Sequence, residues 1–385
     1  MKTVKYMQLK ALKIVFLVPT VDGYGAERSI APVINSLSLN NELTLIVPGE
    51  GRLATIINLD RVKVIRLPLY HFVSSKNKPA WKVFVHSSIK RILTLLILTL
   101  NYNTLRSRGK YDLAYSNTFT PYLGLYLKRL GIAKRVVYHC REHFSEQFDW
   151  QLEIDIKREL ISFDVLISNS VLTQNQFKDF PIKKEVLPNP ILKEVICSNN
   201  CERKRNNRAI FIGRLDDSKQ PLQAVKIIHN YNAVTGQDIT LDIYGDGIQV
   251  DDVESIAAKF PGKVNLIGYH PIDSIEFDQY DFAILPYKFE AFGRIYIELL
   301  NNSIPIVSNR NGNAVNLITE GVNGAFYQDS DLKEAVRAID LIYSRELFVK
   351  INGPDDTITR DTVAGFQYEN VLRIYNQFFN QITSN

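Results

Sequence analysis

Short runs of consecutive apolar residues alternate along this chain with stretches whose apolar positions recur every three or four residues. The runs predict strands at Lys13–Val18, Leu43–Val47, Val62–Leu67, Tyr111–Tyr115, Arg135–His139 and Val165–Ser168. A second set follows at Arg208–Ile212, Thr240–Tyr244, Val264–Ile267, Phe282–Leu285 and Ile304–Val307. Strands this apolar, separated by helical spacers, belong in parallel sheets covered on both faces, so the expected class is α/β. The series restarts near Arg208, after Leu187-Pro188-Asn189-Pro190 and the polar stretch Ser198–Asn207, which reads as a linker between two domains of similar βα character.

Composition supports two folded domains. A single core rarely grows beyond about 250–300 residues, and this chain has 385. Its 45% hydrophobic and 23% charged content excludes general disorder and a multi-span membrane protein. Cys140, Cys197 and Cys201 are too few and too unevenly placed for a disulfide framework, which fits a reducing compartment. The N-terminal segment reads as a first buried strand rather than a signal peptide. The longest apolar stretch, Ile92–Leu100, falls short of the roughly 20 residues a membrane span needs, so no crossing is expected.

The net charge of +5 hides an asymmetry: residues 1–190 carry +12 and residues 191–385 carry −7. Between Asp60 and Asp112 there is no acid, while that window holds eleven Lys and Arg. A block of one sign suggests an anionic partner. Within it, Trp81–Leu105 reads as a helix with an apolar stripe of Val85, Ile89, Ile92, Leu93, Leu96 and Leu100, and with Ser87, Lys90, Arg91 and Thr94 opposite. The polar side is either a solvated surface or a face that attaches to an anionic membrane. The patterns of nucleic-acid-binding modules are absent, so no nucleic-acid partner is expected.

In open parallel sheets ligands bind at the carboxyl ends of strands, and the chemistry-bearing residues cluster after the predicted strands. Gly25 follows the first strand at a helix start, where glycine turns tightly and amides favour an anion. Gly213, Arg214 and Lys219 follow Arg208–Ile212; two cations beside a glycine suit a diphosphate. Gly245 lies in Tyr244-Gly245-Asp246-Gly247, a turn with a ligand nearby. After Phe282–Leu285 come Glu290, Phe292 and Gly293 at a helix start, with Glu298 in the helix; the carboxylates can accept from sugar hydroxyls. The Asn311-Gly312-Asn313 loop follows the next strand, and Gly321–Gly324 reads as a turn into another strand. His139, Arg141 and Glu142 close a strand of the first half and form a polar cluster; His139 and His143 lack a third metal ligand at an obvious spacing.

The segments GYGAER, VVYHCREHF, DVLISNSVLTQ, VLPNPI, FIGRLDDSKQP, LDIYGDG, EAFGRIYIELL and IPIVSN…NLITEGVNGAFY, taken in order, resemble the GT-B glycosyltransferases, most closely glycosyltransferase family 4. The resemblance spans about residues 14–380 and implies two Rossmann-like domains facing each other across a cleft. Residues 1–188 would bind the acceptor, 189–365 would bind the nucleotide-sugar, and a helix within 366–385 would cross back to the first domain. It implies a retaining, metal-independent hexosyl transfer from a nucleotide-sugar to a glycan or polyprenyl-linked acceptor, in synthesis of a bacterial-type surface polysaccharide. No cofactor is implied beyond the nucleotide-diphosphate sugar itself as substrate. Arg214 and Lys219 match the pair that holds the diphosphate, and Glu290 and Glu298 the family's paired glutamates, on donor sugar and ribose. Gly25 matches the loop that faces the phosphates, while Gly213, Gly245, Phe292 and Gly293 complete the donor side. His139, Arg141 and Glu142 are the acceptor-side candidates; Arg141 stands where many members carry His. Lipid-linked acceptors would place the enzyme in the cytoplasm, peripheral on the inner face of the cell membrane. A nucleotide-sugar epimerase of the same fold, or an inactive scaffold in a glycan assembly complex, is the alternative.

Overall fold

The computed structural model describes residues 11–22, 25–107, 109–118, 120–144, 150–152, 159–191, 204–328, 331–351 and 356–384. Gly23, Tyr24 and most of the linker expected at 198–207 lie outside them. The chain divides into two compact units, one of residues 1–190 and 371–385, the other of residues 191–370.

The first unit contains β1 (Lys13–Leu17), α1 (Gly25–Leu37), β2 (Glu42–Val47), α2 (Leu53–Ile56), β3 (Val62–Arg66) and β4 (Val73–Ser75). It continues through α3 (Ala80–Leu100), α4 (Tyr102–Arg106), β5 (Tyr111–Asn117), α5 (Pro121–Arg129), β6 (Ala133–Cys140) and β7 (Trp150–Leu152). β8 (Val165–Ser168), α6 (Val171–Asn175) and β9 (Lys184–Val186) follow. Seven strands form a parallel sheet in the order β3-β2-β1-β5-β6-β8-β9, and β4 pairs antiparallel with β7 apart from it. Ile14 to Leu17 of β1 are fully buried, as a central strand with helices on both faces requires.

The second unit runs β10 (Arg208–Ile212), α7 (Pro221–Thr235), β11 (Thr240–Tyr244), α8 (Val250–Ala257), β12 (Val264–Gly268) and β13 (Phe282–Leu285). Then come α9 (Arg294–Asn301), β14 (Ile306–Asn309), α10 (Ala314–Leu317), β15 (Gly324–Tyr327), α11 (Leu332–Ser344), α12 (Leu347–Lys350) and α13 (Thr357–Ala364). Its six strands are all parallel in the order β12-β11-β10-β13-β14-β15. The final helix, α14 (Tyr368–Ser384), belongs from Val371 onward with the first unit. There Phe379 stacks on Tyr115 of β5 at 5.7 Å and approaches Phe16 of β1 at 6.0 Å.

Two expectations need correction. The strand expected at Ile304–Val307 lies at Ile306–Asn309, because Ser303 turns at φ +60° and Pro305 has no N–H for the ladder. The helix expected at 81–105 breaks at Asn101 into α3 and α4, and α3 is mounted the other way round. Ser87 and Thr94 are 3% and 4% exposed, while the apolar stripe faces solvent. The segment Trp81–Leu100 is also long and apolar enough to cross a membrane, with mean hydropathy 1.6, although no uninterrupted apolar run in it reaches that length.

Candidate active site

In the second unit the strand order reverses between β10 and β13, so the loops after these two strands diverge and leave a crevice at their carboxyl ends. The sequence-predicted residues of this unit lie in those loops and their neighbours. Gly213 follows β10, and a Cβ there would lie 2.7 Å from the Tyr287 hydroxyl, which itself donates to the Ile212 carbonyl. Gly245 has φ +152°, and a Cβ would meet the Gly213 carbonyl at 1.8 Å. The loops after β10 and β11 are therefore interlocked through backbone that only glycine permits. Asp216 then turns the chain back: its Oδ1 accepts from the Ser218 amide at 3.0 Å and the Ser218 hydroxyl at 2.6 Å.

That turn delivers Lys219 to Glu290. Lys219 Nζ lies 2.8 Å from Glu290 Oε2, both side chains are largely buried, and the ammonium sits 3.9 Å from the Tyr287 ring centre. Glu290 Oε1 accepts from the amides of Gly293 at 3.1 Å and Phe292 at 3.3 Å. Burial pushes the Glu290 carboxyl upward, but Lys219 and the two amides outweigh it and hold the group below the ordinary carboxylate range. The helix-start amides that the sequence offers to a phosphate are thus engaged by Glu290 here. Arg214 differs: it is 70% exposed, 3.1 Å from Asp216 Oδ2, and contributes to the charge felt at Tyr287. Burial, then Tyr296, Glu290 and Asp216, push the Tyr287 hydroxyl up, so it stays protonated as a donor.

Glu298 is in the second turn of α9 and largely buried, with Oε1 2.9 Å from Arg294 Nε. Neither glutamate is a solvated surface group. Sequence reasoning missed Arg294, whose i,i+4 spacing to Glu298 is legible. It named the Asn311-Gly312-Asn313 loop but neither Asn309 nor the clamp they form: Asn309 and Asn311 donate to the Tyr287 carbonyl at 3.3 and 3.0 Å, and the Asn313 amide donates to the Glu290 carbonyl at 2.7 Å. Gly312, at φ +51°, lets this loop approach; a Cβ would lie 2.5 Å from the Glu290 carbonyl.

In the first unit the order reverses between β1 and β5. Gly25 opens α1, and its carbonyl accepts from the Ser29 hydroxyl at 2.6 Å. A Cβ at Gly25 would meet nothing within 4 Å, so the protein's own packing does not demand glycine there. The acceptor-side candidates separate. His139 is fully buried, its Nδ1 bonded to the Tyr115 hydroxyl; burial and then the Arg141 charge hold it well below the usual imidazole range, hence neutral. Arg141 is buried as well, bonded to Asn117 Oδ1 at 2.8 Å and to Asn189 Oδ1. These two hold strand ends together within their own unit. Glu142 stays partly exposed, and burial raises its carboxyl to about 7 against the lowering by Arg141, with Glu27 pushing the same way as burial.

Residues 195–352 match the family Glycosyl transferases group 1. Over 357 residues the chain is 23% identical to an uncharacterized 41.2 kDa protein in the cps region of Klebsiella pneumoniae, covering 86% of this chain and 89% of that one. Over 346 residues it is 22% identical to the GalNAc-alpha-(1->4)-GalNAc-alpha-(1->3)-diNAcBac-PP-undecaprenol alpha-1,4-N-acetyl-D-galactosaminyltransferase of Campylobacter jejuni, covering 88% and 91%. The structure of HepE from Anabaena in complex with UDP-glucose aligns with a TM-score of 0.71 at 17% identity, over 96% of this chain and 100% of that one. The two parallel sheets, the loops at their reversals and these similarities agree: the chain is a glycosyltransferase of the GT-B fold, with the group 1 family segment in its second unit.

Proposed function

We propose that this enzyme moves a hexosyl unit from a nucleotide-diphosphate sugar to a glycan carried on a polyprenyl diphosphate, with retention at the anomeric carbon and without a metal ion. One observation carries the reading. At the β10/β13 reversal, a largely buried Lys219–Glu290 pair presents a cation and a carboxylate side by side, with exposed Arg214 two residues after β10. A diphosphate needs cations that neutralise the charge developing as it leaves, and Lys219 and Arg214 supply them. Glu290, held ionised by three donors, faces the sugar as positive charge develops at its anomeric carbon. The C1–O bond to the diphosphate breaks, the acceptor oxygen bonds C1 from the same face, and its proton passes to the departing phosphate oxygen. Glu298, fixed by Arg294, is the acceptor for the ribose hydroxyls.

The Campylobacter relative is named for an undecaprenol-linked acceptor, and the Klebsiella relative for a cps region, which supports a lipid-linked glycan as substrate class. HepE's complex supports a uridine nucleotide as donor. A screen of nucleotide-sugars by thermal shift identifies the donor, since a ligand at 100 times its dissociation constant adds about 2.7 kcal/mol. NMR of the product made with that donor and a synthetic polyprenyl-linked acceptor should show a retained anomeric configuration, and EDTA should leave the rate unchanged. An inverted product, or complete loss with EDTA, refutes the mechanism.

A further inference from the structure

The helix α3 turns a largely polar side, anchored by Leu98, toward the protein and an apolar face toward solvent. Ser87, Arg91, Thr94 and Leu98 fall at helical spacing on its inner side, and Thr94 and Leu98 are buried. Trp81, Phe84, Ile89, Ile92, Leu96 and Leu100 point outward, with Phe84 72% and Leu100 84% exposed. A contiguous apolar face of this size is unusual on a protein surface and marks an interaction site. The helix cannot roll to hide it. Lys90 Nζ donates to the His71 carbonyl at 2.9 Å, and the Arg91 guanidinium lies 4.2 Å from the Tyr122 ring centre and bonds its hydroxyl.

We infer that this face inserts in the plane of an anionic lipid bilayer. Polarity and anchoring fix the orientation. The segment is long enough to cross, but its inner side is tied to Tyr122 and His71, so it lies along the unit instead. An in-plane helix of this kind buries its apolar face about 5–10 Å into the headgroup–acyl boundary. Exposed cations stand at both ends, Lys78 just before it, Lys82 in its first turn, and Arg106 and Lys110 after it, where headgroups would lie. Trp81, with Lys82 Nζ 5.4 Å from its ring centre, has the amphipathic character suited to that boundary. Charge also selects the bilayer over a second copy of this chain. Two such faces apposed would bring the flanking cations together, and residues 61–111 contain no acid to pair them. The membrane therefore meets the apolar face, while Lys90 and Arg91, which the sequence offers to headgroups, serve to hold the helix.

Vesicle binding tests this without reference to turnover, so its outcome is independent of the transferase mechanism. Trp150→Phe leaves Trp81 as the sole tryptophan in the full-length protein. With vesicles of phosphatidylcholine and phosphatidylglycerol its emission should shift to the blue and be quenched by lipids brominated high on the acyl chain. In the otherwise native chain, Phe84→Gln, Ile92→Gln and Leu96→Gln together should lower partitioning about tenfold or more, with unchanged circular dichroism. Lys78→Gln with Lys82→Gln should weaken it several-fold and flatten its salt dependence. Trp81 emission unmoved at saturating vesicles overturns the inference. So does a triple variant that binds like the parent, or a lipid-free dimer, seen by sedimentation, that the triple variant abolishes.

Discussion

The Lys219–Glu290 pair gives a prediction whose size follows from its surroundings. Replacing Lys219 by Met keeps the apolar stem against Tyr287 but removes the charge, leaving Glu290 with only the two amides of Phe292 and Gly293. Removing one partner of a fully buried pair costs about 3–5 kcal/mol. Here the side chains keep 19% and 17% exposure and the amides remain, so roughly 2 kcal/mol is expected. For a unit of this size each kcal/mol is worth about 2–4 °C, so melting of the second unit should fall by roughly 4–8 °C. Glu290→Gln should cost less, about 1 kcal/mol, because the amide still accepts from the backbone while Lys219 loses its counter-charge. The double variant should cost less than the sum by about 1 kcal/mol, since both singles delete one interaction. Acid titration supplies an independent sign. The Glu290 pKa is depressed in the folded state, so its stabilisation is present above the unfolded carboxylate value and is lost as pH falls through the folded one. Lys219→Met should shrink that acid-limb loss. Calorimetry across pH 3–7 reads both quantities. A strictly additive cycle together with an unchanged acid limb would refute the claim that the two groups are coupled.

Arg214→Ala should leave melting within about 1 °C, because its ion pair is largely exposed, yet reduce transfer by about 10²-fold or more at saturating donor. Gly245→Ala should destabilise the second unit severely, by at least about 3 kcal/mol in urea titration, since a Cβ would overlap the Gly213 carbonyl. Glu142, whose carboxyl is raised to about 7, should make the first unit less stable as pH rises from the unfolded value near 4 through 7; Glu142→Gln should flatten that slope in a pH series of melts.

The strands were legible because they announce themselves: Ile14–Leu17 and Phe282–Leu285 are continuous apolar runs, and burial on both faces demands that pattern, though it does not give their order in the sheet. The donor-side residues were legible for a related reason. In a parallel sheet the carboxyl ends of strands gather on one edge, so Arg214, Lys219 and Glu290 are each placed by counting from a strand. Their pairing was not legible, since Lys219 and Glu290 are 71 residues apart and only the β10–β13 neighbour relation brings them together. The first-unit candidates show the reverse limit. His139, Arg141 and Glu142 read as one polar cluster, but the sheet buries His139 and Arg141 and leaves Glu142 the most accessible of the three.

Helix α3 marks where periodicity stops being informative. A stripe at 3.6-residue spacing says that a helix has two unlike faces; it does not say which one meets the protein. The usual assignment sends the apolar face inward because apolar burial dominates folding. That assignment assumes water outside. Here the inner contacts are polar and specific: Lys90 on a carbonyl, Arg91 over an aromatic ring, Ser87 and Thr94 packed without solvent. Buried polar groups are tolerated only when they find partners, and Lys90 and Arg91 have found them. The apolar face is then surplus to the fold, and its retention needs a different cause. An apolar phase outside the molecule, as inferred above, would be such a cause, and would account for both the outward Phe84 and Leu100 and the absence of any acid from Arg61 to Tyr111. On that inference the charge block and the inverted helix are two consequences of one boundary condition; the sequence displays the block and the stripe but not the orientation that joins them.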